Sequence, residues 1–227
     1  MKITKIIFIS FFMYGLSIPG IAQEEQALDS LERGSIYPGF IITHEGDTVK
    51  GYLLNINLWM NQHMTFLYKN PDDAENRVKY KAKDIKAYQV GNRYYESMNY
   101  TFAYSSYTQN FILRKVHGPI DLYVWYYDQD RGKLMSPDIS LAELTSAFLF
   151  NEDELWTNAF GIKANGEFKE LTDFKFLMKF AKNMSAYVAD DTELAGKILN
   201  KAKGYVGTTS DIENIIREYN NWKTKQD

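Results

Sequence analysis

The sequence predicts an α+β fold: an antiparallel β domain of barrel-like or curved-sheet character over residues 35–171, followed by a C-terminal three-helix segment over residues 172–227. Three observations predict it. From Ser35 to about Leu171, short runs alternate apolar and polar residues between Gly, Asn and Asp punctuation, which is the period of half-buried strands. From Thr172 onward the apolar spacing changes to three and four, the period of amphipathic helices. The join carries no Pro/Gly linker, so the helical tail is expected to pack on the β domain.

The first hairpin surrounds Glu45-Gly46. A two-residue turn there sets Ile42 opposite Val49 and Phe40 opposite Gly51, whose missing side chain leaves room for the Phe40 ring. Thr43, Thr48 and Lys50 then point the other way. Strands follow at Met64–Tyr68, Val78–Tyr80, Ile85–Val90 and Tyr94–Met98, the last two joined through Gly91-Asn92. Tyr100, Phe102 and Tyr104 alternate in another. Phe111–Val116 and Leu122–Tyr127 flank the turn His117–Ile120, and Phe160–Lys163 and Glu167–Leu171 flank Asn165-Gly166.

In the tail, Phe174, Leu177, Met178, Ala181, Met184 and Val188 form the first stripe, with Thr172 or Asp173 as its cap. Leu194, Ala195, Ile198, Leu199 and Ala202 form the second, opened by Asp191 and ended by Gly204. The third starts at a capping box, Ser210-x-x-Glu213, and carries Ile212, Ile215, Ile216, Tyr219 and Trp222. All three stripes are expected to be core.

Upstream, residues 1–22 read as a cleavable signal peptide. Lys2 and Lys5 precede an apolar run from Ile6 to Leu16, Pro19 and Gly20 break it, and Gly20 and Ala22 suit a signal peptidase. The apolar run is shorter than the roughly 20 residues a membrane span needs. Residues 23–34 are a polar, acidic leader. The chain is therefore expected to be exported: periplasmic, outer-membrane-associated or secreted. Its net charge of −3 becomes more negative once Lys2 and Lys5 leave, which argues against nucleic acid or an anionic membrane as the main partner. With no cysteine, the chain has no disulfide, thiolate metal site or lipidation site. No span is expected after cleavage, and polar, capped helices at the end argue against an outer-membrane barrel.

The run IYPGFIITHEGDTVKGYL resembles secreted proteins of Bacteroidota-type bacteria, in which a Gly-Asp-Thr turn sits between two strands soon after the signal peptide. Later blocks are similar as well: KAKDIKAYQV, FILRKVHGPIDLYVWYY, GEFKEL and the end DTELAGKILN…DIENIIREYNNW. The resemblance covers most of the chain after residue 22 and implies export and fold without an activity. Phe40–Val90 also resembles the small SH3-like or Sm-like barrels, in architecture alone.

Motifs for chemistry are sparse. His44, His63 and His117 show no paired spacing, and His44 and His117 read as turn residues. GxSxG, GxGxxG and phosphate-loop patterns are absent. Asp128–Gly132 resembles half a calcium loop but lacks the terminal Glu and includes Arg131. No catalytic set, metal or cofactor is expected. The aromatic residues stand out instead. With an even-length turn at His117–Ile120, one face of the central hairpin holds Phe111, Leu113, Leu122, Val124 and Tyr126. The other holds Tyr123, Trp125 and Tyr127 beside Ile112 and Arg114. That second face is either buried under the helical tail or exposed as a strip that stacks on sugar rings or anchors a protein. Tyr123, Trp125, Tyr127 and Arg114 are thus the candidate ligand-binding residues. The expected function is a non-catalytic binding or structural module of the cell envelope, with a protein or glycan partner. The alternative is a polysaccharide-acting hydrolase, which needs a concave pocket with convergent carboxylates.

Overall fold

The computed structural model describes residues 31–73, 75–100, 108–127 and 155–226. The predicted signal peptide, Phe102, Tyr104 and the Asp128–Gly132 loop lie outside the described residues.

Among the described residues ten strands form one antiparallel sheet: β1 (Ile36–Ile42), β2 (Thr48–Leu54), β3 (Met64–Tyr68), β4 (Arg77–Lys81), β5 (Ala87–Val90), β6 (Arg93–Asn99), β7 (Gln109–Val116), β8 (Ile120–Tyr127), β9 (Trp156–Lys163) and β10 (Phe168–Glu170). Their order is β10-β9-β8-β7-β6-β5-β1-β2-β3-β4, with β4 and β10 as open edges. The sheet is curled but not closed. Its inner face brings Leu53 and Leu67 of β2 and β3 into one core with Leu113 and Val124 of β7 and β8. In the same core the Tyr88 ring stacks on Tyr95 at 4.7 Å and meets Phe111 edge-on at 4.8 Å.

The first hairpin departs from the expected register. Ile42 pairs with Thr48, Phe40 with Lys50, and Gly39 with Gly51. The Thr43 N–H donates to Asp47 O at 2.9 Å, closing a three-residue loop in which Gly46 takes φ 96°. The extra loop residue shifts the pairing by one, and a one-residue shift turns a strand over. Ile41 therefore enters the core, and Phe40 faces outward. The Asn165-Gly166 hairpin uses the same device: Lys163 N–H donates to Glu167 O, and Gly166 has φ 84°.

The tail holds four helices rather than three: α1 (Phe174–Met178), α2 (Phe180–Tyr187), α3 (Thr192–Leu199) and α4 (Thr209–Thr224). The first predicted helix is broken at Lys179 (φ −124°, ψ 35°). The break turns Phe176 and Phe180 inward and leaves Phe174 and Met178 outside the core. Helix α3 ends at Leu199, before Gly204. The α4 capping box is Thr208 with Asp211, two residues before the expected pair. Asp173 and Asp191 cap α1 and α3 as their sequence suggests. The helices cover the inner face at β7–β9, where Ile212, Ile215, Ile216, Leu194 and Ile198 meet Val116, Ile120, Leu122 and Ala159. Each such side chain contributes roughly 1.5–3 kcal/mol on burial.

One element has no counterpart in the predicted strands and helices. From Leu53 to Tyr68 every residue is buried, although the stretch includes Asn55, Asn57, Asn61, Gln62 and His63. After β2 the chain leaves the ladder, makes a 3-10 turn at Met60–Gln62 and returns as β3. Buried amides are tolerated only when hydrogen-bonded. Asn61 Oδ1 accepts from the Ile56 and Asn57 N–H groups, and Asn57 Oδ1 accepts from Met60 N–H. Tyr88 O–H donates to Asn61 O, and Arg93 donates to Asn55 Oδ1 at 3.0 Å. Among the described residues no helix is long and apolar enough to cross a membrane.

Candidate functional site

The registers align one row of residues across the outer face of the sheet: Phe40 beside Gln89, Gln89 beside Tyr94, Tyr94 beside Arg114, and Arg114 beside Tyr123. The turned-over β1 is what brings Phe40 into this row. Along it the Phe40 and Tyr94 rings stand 6.5 Å apart, and the Arg114 guanidinium lies 4.2 Å from the Tyr94 ring centroid. Such a contact contributes about 0.5–1 kcal/mol at an exposed site. Arg114 is half-buried and makes no hydrogen bond or ion pair among the described residues.

Acidic groups flank the row and are already engaged. Tyr123 O–H donates to Glu96 Oε2 at 2.6 Å. Burial, and then Glu96, push the Tyr123 hydroxyl well above its ordinary range. Tyr94 is raised by burial and then by Glu96. Asp121 Oδ1 accepts from Gly118 N–H at 3.0 Å and sits 2.7 Å from His117 Nδ1. His117 is thereby oriented on an exposed turn, with its side chain 71% accessible.

The four residues singled out in the sequence share this face, as the β7–β8 register requires: Leu113 pairs with Val124 and Arg114 with Tyr123, before a bulge near Val116. Their surroundings differ. Trp125 is 0% exposed, and the helical tail is not what covers it. It packs with Ile112, Tyr123 and Phe160, and the His63 ring meets it edge-on at 5.6 Å. Its indole has no free face for a ligand. Tyr123 is buried as well, and Tyr127 is half-buried at the far end of β8. Arg114 remains accessible, with Tyr94 and Phe40 as neighbours that the sequence did not single out. The alternation Tyr94-x-Glu96 in β6 was their signal, but which face it belonged to depended on the register of β1.

A hollow of about 330 Å³ lies elsewhere, lined by Lys169, Glu170, Asp173, Lys175, Phe176 and Asn183. Burial and then the Asp173 charge raise the Glu170 carboxyl. Asp173 Oδ1 is committed to the Lys175 and Phe176 N–H groups. Among the described residues no group of three or more His, Asp or Glu is placed to hold a metal ion. No family model, curated protein or solved structure matches the chain.

Proposed function

We propose that this is an exported, envelope-associated binding module that takes its protein or glycan ligand on the outer sheet face around Arg114, Tyr94 and Phe40, with the buried Tyr123 beside Arg114. One observation carries the reading. A guanidinium seated 4.2 Å over an aromatic ring, with no hydrogen-bond acceptor among the described residues, is placed to take an acceptor brought by a ligand. Trp125, buried with Ile112, Tyr123 and Phe160 in the neighbouring row, is left out of the ligand surface. Export, and kinship with the secreted Bacteroidota-type proteins, rest on the first 22 residues and on the blocks that carry the resemblance. The test is a melting-temperature panel of oligosaccharides and peptidoglycan fragments, with co-purification from the envelope for protein partners. A ligand at 100 times its Kd raises stability by about 2.7 kcal/mol, a shift of a few degrees. That shift, or the captured partner, is expected to vanish in Arg114→Ala; a response identical in the variant would refute the site.

The hydrolase alternative has one observation in its favour. Glu170 is a raised carboxyl in a hollow beside a second carboxylate, the environment of a general acid. Release of reducing ends from a polysaccharide by the wild type, lost in Glu170→Gln, would favour it over the binding module.

A further inference from the structure

Helix α1 is held in place from beneath. Phe176 is buried 6.2 Å from Phe180, Asp173 caps the first N–H groups, and Asn183 Nδ2 donates to Phe176 O at 3.0 Å. Fixed in this way, α1 presents Phe174, Leu177 and Met178 to solvent, at 74%, 37% and 68% exposure. These positions are spaced by three and four and share one helix face. Single exposed apolar residues are ordinary, but three on one anchored turn mark a contact surface. Lys175 and Lys179 adjoin them in the chain and Lys182 follows one turn on; all three are exposed and form no ion pair among the described residues. The nearest carboxylate in sequence, Asp173, is committed to capping.

We infer that α1 is a membrane-surface contact, seating Phe174, Leu177 and Met178 in the interface of an anionic phospholipid bilayer with the three lysines in its phosphate layer. The charge argues for this occupant. Apolar side chains ringed by unpaired lysines match the headgroup boundary of an anionic leaflet. A second copy of the chain, docked by two-fold symmetry on the same patch, would set lysines against lysines. The chain as a whole carries −3, so the attraction is confined to this face and opposed by the remainder of the molecule, which makes the contact auxiliary to the main partner. The patch belongs to the helical layer on the inner face of the sheet, opposite the Arg114 row, so the two surfaces can act independently. With one short helix, binding is reversible and weakens with salt.

The test is co-sedimentation of the protein, as processed by the cell, with phosphatidylcholine vesicles prepared with and without phosphatidylglycerol. Three chains are compared: wild type, the triple variant F174S/L177S/M178S, and the charge reversal K175E/K179E/K182E. All carry the same amino terminus, so their differences report on α1. The wild type is expected to bind the phosphatidylglycerol vesicles, and each variant to bind about tenfold or more weakly while melting like the wild type. Substitutions at exposed positions leave folding near neutral, and the charge reversal keeps the test valid if the apolar variant melts early. Equal binding by all three chains overturns the inference. So does a wild type that ignores the vesicles, whether it stays monomeric or forms a dimer that F174S/L177S/M178S abolishes.

Discussion

Strand β8 is gripped at both ends by a side-chain carboxamide, and the two grips come from very different kinds of structure. At its start, Asn220 of α4 accepts from the Ile120 N–H at 2.9 Å and donates to Ile120 O at 2.8 Å. Near its end, Gln62 of the buried turn accepts from the Tyr126 N–H at 2.8 Å and donates to Tyr126 O at 2.7 Å. Each amide takes the place of a neighbouring strand and satisfies one donor and one acceptor. Asn220 rides on a regular helix whose apolar face does the packing, beside a turn where Gly118 leaves the room it needs. Gln62 lies in a segment without regular period, in which Ile56, Trp59 and Met60 pack into a core of their own and the amides bond to the backbone around them. Apolar period buries the first region, and apolar packing together with amide hydrogen bonds buries the second.

The sharpest way to break this symmetry is Gln62→Leu. It leaves the Tyr126 N–H and C=O without that partner where water cannot reach, at about 1–3 kcal/mol for each unsatisfied group. A loss of about 3 kcal/mol is expected in urea unfolding, with little change in m. A loss below about 1 kcal/mol would mean the ladder re-forms without the amide.

The next effect is a pH dependence confined to the buried turn. His63 is buried between Trp59 and Trp125, and desolvation lowers its pKa to about 4, partly countered by a hydrogen bond to Asn110. The unfolded chain takes up a proton near pH 6.5 and the folded chain does not, so stability is complete above that pH and falls as pH drops towards about 4. The slope approaches about 1.4 kcal/mol per pH unit, or about 2 kcal/mol by pH 5. Urea midpoints measured from pH 7.5 to 5 should show it, and His63→Gln should flatten it. A slope unchanged by that substitution would place the titration elsewhere.

At the other end of β8, Asn220→Leu should cost a similar amount, about 2–3 kcal/mol, because the Ile120 N–H and C=O it leaves without that partner are buried. Amide exchange should then quicken at Ile120 and not at Tyr126. Equal quickening at both residues would show that the two grips act as one cooperative unit.

These two regions also mark how far the sequence could be read. The α4 stripe Ile212, Ile215, Ile216, Tyr219 was legible because helical period is a strong signal. The function of Asn220 was not, since a polar residue on a helix is usually solvated. In Asn55–His63 the apolar Ile56, Leu58, Trp59 and Met60 follow no helix or strand period, and hydropathy ranks the amides between them as surface residues, so burial of the whole segment was not legible. Helix α1 failed for a related reason. Its apolar spacing continued into α2, but the break at Lys179 exchanged which residues faced inward. At the candidate site, the even-length hairpin at His117–Ile120 placed Arg114 and Tyr123 on one face, with the bulge confined to the turn end. Phe40 was missed because one loop residue, Gly46, decides which way β1 faces.

The division of labour can be tested directly. If the grips on β8 hold the fold, Arg114 is left for a ligand and contributes little to stability. The measurement is urea unfolding of Arg114→Ala beside wild type. The account predicts a loss of no more than about 1 kcal/mol, the worth of one exposed cation–π contact. A loss of about 2 kcal/mol or more would show that the guanidinium holds the sheet together, and that the outer row is a structural ladder rather than a binding surface.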